Sequence, residues 1–217
     1  MLPATGLLID AAPRLKMTAD EFLSFWPTVA ATDRPVAYLF RQKFRERWFR
    51  IHSLPESKRY ASTAAEWQLL LQRHYTLLED LLGNEKQILL ITGYYTQADD
   101  EQNIILQDFI LRENAFDGLL FTALPAVDVY ALSPDIYWPG THYWPLLAEL
   151  TMAAPQLEPI LRAIADDTSS AFFIGQHSRI LVAPYDGGVD IILPNTLIRD
   201  QYRHKYRAWL SAREDGL

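Results

Sequence analysis

The chain contains no cysteine. That excludes a disulfide framework, thiolate zinc sites and a cysteine nucleophile. Glycine is sparse, nine in 217 residues. None of the nine forms Gly-x-Ser-x-Gly, a P-loop or a dinucleotide fingerprint, so a nucleophile elbow and glycine-cradled phosphate sites are excluded as well. Long apolar runs are missing too. Gly6-Leu7-Leu8-Ile9 is cut short by Asp10 and has no basic flank, so neither a signal peptide nor a membrane span is expected, and the chain reads as soluble and cytosolic. Positive charge is in deficit, with a formal net charge of −7. The basic balance usual for a nucleic-acid-binding protein is therefore absent, and nucleic acid is not the expected partner.

What is present is an ordinary globular composition, 49% apolar and 22% charged, with no repeat, low-complexity tract or linker. One α/β (or α+β) domain over residues 1–217, built on a mixed sheet, is the simplest expectation. The charge is unevenly spread. Arg34 to Tyr60 holds eight basic and two acidic residues, whereas Glu79 to Ser170 holds fifteen acidic residues against Lys86, Arg112 and Arg162. Solvated faces explain such a pattern. So does an acidic surface that meets a basic partner, where charge speeds encounter and rejects wrong partners.

Periodicity predicts the elements. Thr18-Ala19-Asp20-Glu21 is a capping box opening a short helix with Phe22, Phe25 and Trp26 on its apolar side. Asp33 can cap the next, where Val36, Phe40 and Phe44 share a face. The period then changes to two, with Phe49, Ile51 and Ser53 opposite Trp48, Arg50, His52 and Leu54. Thr63 and Glu66 cap a helix over Ala64 to Leu82, striped by Trp67, Leu70, Leu71, His74, Leu78, Leu81 and Leu82. Ile88-Leu89-Leu90-Ile91 reads as a strand buried on both faces, and strand, helix and strand predict a βαβ unit near the N-terminus. Val127 to Ala131 alternates like a half-exposed strand, a helix is expected from Pro145, and another carries Leu157, Ile160, Leu161 and Ile164. A C-terminal hairpin turns at Asp186-Gly187, where the pair suits positive φ. A closing amphipathic helix follows, capped by Asn195 or Thr196, with Arg199, Arg203 and Arg207 as a ridge.

Two candidate surfaces stand out. Arg50, His52, Ser57, Lys58 and Arg59 gather where a strand leaves for a helix, so a small anion or nucleotide could bind there, at a helix N-terminus on the carboxyl edge of the sheet. Glu56, Lys58 and Arg59 could equally form ion pairs that fix the loop. Tyr137, Trp138, Tyr143 and Trp144 form an aromatic segment inside the acidic region, rimmed by Asp128, Asp135 and Glu149, with Asp99, Asp100 and Glu101 upstream. Tyr and Trp dominate binding hot spots, so this surface suits a basic protein, although large rings also close cores. The histidines at positions 52, 74, 142, 177 and 204 lack metal-ligand spacing, so no metal and no cofactor is expected. His74 is expected to be a hydrogen-bonded core residue, and a catalytic set is not evident.

Arg50-Ile51-His52-Ser53-Leu54-Pro55-Glu56-Ser57-Lys58-Arg59-Tyr60 with Glu66-Trp67, taken with Pro184-Tyr185-Asp186-Gly187-Gly188-Val189-Asp190-Ile191-Ile192-Leu193, resembles a bacterial family known only as a domain of unknown function. The likeness covers the two ends of the chain. It carries over no catalytic residue, and its type implies an immunity protein that neutralises a basic toxin or effector in the cytosol.

Overall fold

A computed structural model of the protein describes residues 16–30, 34–97 and 114–211. Its frame is a single eight-stranded sheet. The strands are β1 (Trp48–His52), β2 (Ile88–Thr96), β3 (Thr122–Ala123), β4 (Val127–Asp128), β5 (His142–Leu150), β6 (Ala171–Gly175), β7 (Leu181–Tyr185) and β8 (Gly188–Ile192). They are ordered β1-β8-β7-β6-β2-β5-β3, with β4 also on β5, and every pairing is antiparallel.

Helices cover both faces, which is why β2 can be apolar without alternation: Ile88, Leu89, Leu90 and Ile91 are all buried. The helices are α1 (Ala19–Phe25), α2 (Phe40–Lys43), α3 (Ala64–Leu82), α4 (Val129–Leu132), α5 (Leu157–Ala165) and α6 (Thr196–Lys205). On one face, Leu70, Leu78 and Leu82 of α3 and Ile160 and Ile164 of α5 pack on Ile51, Leu90, Phe173 and Ile191. On the other, Phe22, Trp26, Phe40 and Phe44 pack on Leu89, Ile91, Phe172 and Ile192.

The capping boxes form as the sequence predicts, at Thr18 with Glu21 and at Thr63 with Glu66. Thr63→Ala removes the acceptor for the Glu66 N–H, so it is expected to cost about 1 kcal/mol. The check is a lower urea midpoint at unchanged slope.

Where the structure differs from the sequence reading, a particular strand pairing or hydrogen bond gives the reason. The strand–helix–strand succession exists, and β2 runs parallel to β1, but β8, β7 and β6 lie between them. Because the C-terminal strands insert there, the sheet is antiparallel, and the rule that ligands sit at the carboxyl edge of a parallel sheet loses its premise. No helix begins at Pro145, which lies within β5. It falls between the residues paired to β4 (His142, Tyr143) and those paired to β3 (Leu146, Leu147). Its carbonyl accepts from the Leu124 N–H at 2.9 Å. The missing N–H therefore faces the break between two short strands, where no donor is needed. Val127 to Ala131 is a strand only at Val127–Asp128. There the Asp128 carboxylate accepts from the Ala131 N–H at 2.9 Å and turns the chain into α4. The Asp186-Gly187 hairpin is present, yet neither residue has positive φ. The Ser53 N–H donates to the Gly187 carbonyl at 3.2 Å, and Arg59 pairs with Asp186, so tertiary contacts hold this turn.

Asp33, Asp99, Asp100, Glu101 and the stretch 104–111 lie outside the described residues. No helix among the described residues is long and apolar enough to cross a membrane.

Candidate functional site

The first surface begins where β1 ends. Pro55 closes the strand, and Glu56 and Ser57 adopt left-handed backbone, both at φ 57°, which reverses the chain. This reversal separates the cations. Lys58 turns to Glu66 at 2.5 Å and to the Ser62 hydroxyl at 2.8 Å. Arg59 goes to Asp186. Arg50 meets Asp190 through two bonds, Nε–Oδ1 at 2.6 Å and Nη2–Oδ2 at 2.8 Å. Each of the three cations thus holds a carboxylate of the chain itself. The N-terminus of α3 is occupied in the same way: the Glu66 carboxylate takes the backbone N–H of Ser62 and Thr63. The Lys58 ammonium and these Ser62 donors hold the Glu66 carboxyl down at about 2.

His52 is buried, with Nε2 3.2 Å from the Ser57 hydroxyl. Burial and then the Arg50 charge push its pKa below the usual imidazole value, and no carboxylate orients it among the described residues. His74 is the hydrogen-bonded core residue the sequence predicts, 2.8 Å from the Ser53 hydroxyl. No group of three or more His, Asp or Glu could hold a metal ion among the described residues.

The aromatic segment divides across the sheet. Tyr143 packs against Tyr95, ring centroids 4.9 Å apart. Trp144, the next residue, points to the opposite face, where its Nε1 donates to the Thr96 hydroxyl at 2.9 Å and its ring stacks on Tyr94. Between α4 and β5 the chain leaves Trp138 75% and Ile136 65% exposed, and Leu132 at the end of α4 is exposed as well. Asp128 and Asp135 are exposed in the same segment. Glu149 does not rim this patch: it lies near the far end of β5, six residues beyond Tyr143, and accepts from the Met17 N–H. Other carboxylates of the acidic region also serve local partners. Asp80 holds Lys205, Glu158 holds Arg162, and Glu85 accepts from the His177 and Ser178 N–H groups.

Arg50 from the first surface and Tyr137 and Tyr143 from the second meet in one cleft of about 330 Å³, together with Tyr38, Tyr95 and Tyr185. Strand alternation places it. Trp48, Leu181 and Ile192 lie under α1 and α2, so Arg50, Ala183 and Asp190, two residues on, share that face beyond the helices' reach. Glycines shape the space. Gly93 follows Ile91 on this face, and a Cβ there would lie 2.6 Å from Tyr143 Cε2, so the Tyr143 ring lies over bare backbone. The Arg50 guanidinium sits over the Tyr185 ring at 4.5 Å and near Trp48 at 5.6 Å. Tyr95 stacks on Tyr137 at 5.5 Å, and Tyr38 leans on Tyr137 at 5.6 Å.

Sequence reasoning missed Tyr38, Tyr95, Tyr185 and Asp190. Two signals were available: a glycine inside an apolar strand marks close approach, and a charge within Val189-Asp190-Ile191 needs a partner. Which partner it finds is a matter of β1–β8 pairing, in which Arg50 stands opposite Asp190.

No curated protein and no solved structure matches the chain. The profile of a family described as a domain of unknown function, DUF3885, matches residues 36–214. That span begins at Val36 in the wall of the tyrosine cleft and takes in every strand and all helices but α1, and the protein belongs to the DUF3885 family.

Proposed function

We propose that this protein binds a basic protein partner through the surface around Trp138, acting as an immunity or inhibitor protein against a toxin or effector in the cytosol. The observation that carries this reading is an exposed indole in one short segment with exposed Ile136 and Leu132, in a stretch with no lysine or arginine between Arg112 and Arg162. Exposed apolar side chains of this size mark interaction sites when they cluster, and Trp is prominent among hot-spot residues. Asp128 and Asp135 supply the charge that would steer a cationic partner.

The test is calorimetric binding to the basic product of the gene adjacent to its own, at low and high salt. Trp138→Ala is expected to weaken binding by about 2 kcal/mol or more, while Leu197→Ala, exposed on α6, leaves it unchanged. High salt slows association without abolishing it. The reading fails if no such product binds at low salt, or if both variants bind like the wild type.

A further inference from the structure

The tyrosine cleft is a built site of a different kind from the Trp138 surface, and its argument does not depend on a protein partner. Tyr143 is only 5% exposed. Its hydroxyl makes no hydrogen bond among the described residues, and its side chain lines the cleft. The hydroxyl is not sealed in the core, so it stands free to donate to a molecule in the cleft. The opposite wall also carries unused capacity. Arg50 spends Nε and Nη2 on Asp190, which leaves Nη1 without a hydrogen bond among the described residues. Each Asp190 oxygen accepts one bond from Arg50, and a carboxylate oxygen has room for another. The floor is apolar, with Ile91, Phe172 and Ala183.

We infer that this cleft binds a flat, uncharged heteroaromatic ring bearing a lactam edge, an adjoining carbonyl and N–H, of the kind found in nucleobases. Arg50 Nη1 donates to the carbonyl and Asp190 accepts the ring N–H, while the tyrosine wall supplies stacking and the Tyr143 hydroxyl donates to an acceptor on the opposite edge of the ring. Net charge decides against an ionic ligand. Arg50 and Asp190 cancel, and the phenols remain neutral donors, since burial raises the pKa of Tyr143 and pushes that of Tyr185 up to about 12. A charged ring would enter a half-buried site with no free counter-ion. The size agrees: about 330 Å³ stands at the low end of ligand pockets, which suits one or two fused rings and not a dinucleotide.

The test uses uridine and inosine as lactam probes, with benzoate and phenyltrimethylammonium as charged rings, followed by tyrosine ring resonances and calorimetry. Both nucleosides are expected to shift the rings of Tyr95 and Tyr143 with Kd below about 1 mM, and the charged rings to bind at least about tenfold more weakly. Tyr143→Phe keeps the ring over Gly93 and so keeps the fold. Loss of one hydrogen bond should weaken nucleoside binding about five- to tenfold. The inference is overturned if neither nucleoside moves those resonances, if Tyr143→Phe binds equally well, or if either charged ring binds as tightly as the nucleosides. None of these outcomes bears on Trp138→Ala, so this inference and the protein-partner reading fail separately.

Discussion

Gly188→Ala is expected to destabilise the protein by about 3 kcal/mol. Gly188 does not have positive φ, so the demand is for space and not for conformation. It stands opposite His52 in the β1–β8 ladder and opposite Tyr185 across the hairpin. A Cβ there would lie 2.1 Å from the Ile51 carbonyl oxygen and 2.9 Å from the Tyr185 hydroxyl. The first of these is backbone, and Ile51 is fully buried under α3, so β1 cannot yield without lifting a core side chain. Because β1 is the outermost strand on that side, the expected damage is separation of β1 from β8, with loss of the Arg50–Asp190 pairing. For a chain of this size the melting temperature should fall by about 6–12 °C. Gly187→Ala is the comparison. Its nearest neighbour is the Tyr185 ring edge at 3.0 Å, which can swing, so the expected cost is below about 1 kcal/mol. Denaturant midpoints of the two variants decide the matter. Equal stabilities would mean that the hairpin and β1 are not packed as described.

Acid should weaken the fold before most carboxylates titrate, through His74. The side chain is fully buried on α3, and burial pushes its pKa down to about 4. Its Nε2 meets the Ser53 hydroxyl, while Nδ1 has no partner, which favours the tautomer with the proton on Nε2, since a buried orphan acceptor costs less than a buried orphan donor. A folded pKa below the unfolded value of about 6.5 means that the unfolded chain takes the proton first. The stabilisation is therefore complete above that value and declines as pH falls toward 4. This one group accounts for about 2 kcal/mol lost between pH 7 and 5, and about 3 kcal/mol by pH 4. His52 is shifted in the same direction and adds to the slope. The carboxyls of Glu66, Asp80 and Glu85 are held below their usual values, so their stabilisation is present above the ordinary carboxylate range and is lost as pH falls through it to their lowered values. In His74→Leu combined with Ser53→Ala, both partners become apolar and no donor is stranded. Urea unfolding at pH 7, 6 and 5 should then show most of the acid slope removed. A slope unchanged in the double variant would place the acid-sensitive group elsewhere.

The two candidate surfaces read from the sequence are mixtures when seen in space. Lys58 and Arg59 follow Arg50 closely in the chain, but the left-handed turn at Glu56 and Ser57 sends them to Glu66 and Asp186, away from the cleft. Tyr143 and Trp144 are neighbours in sequence and lie on opposite faces of β5, as strand geometry requires. What joins Arg50 to Tyr143 is the order of the sheet, with β8, β7, β6 and β2 laid between β1 and β5.

Local chemistry alone determined a good deal of this protein. Both capping boxes, the span of α3, the apolar strand at Ile88–Ile91, the core role of His74 and the stripe of α5 follow from spacing and side-chain type within a few residues. Tertiary structure decided the rest, because the deciding contacts are far apart in the chain. Pro145 is tolerated in a strand because β3 and β4 leave a gap beside it. The Asp186-Gly187 turn is held by Ser53 and Arg59, and Asp190 is neutralised by a residue 140 positions away. Periodicity records which face a side chain takes, but it carries no information on which strand will lie alongside, and the cleft is made of such pairings.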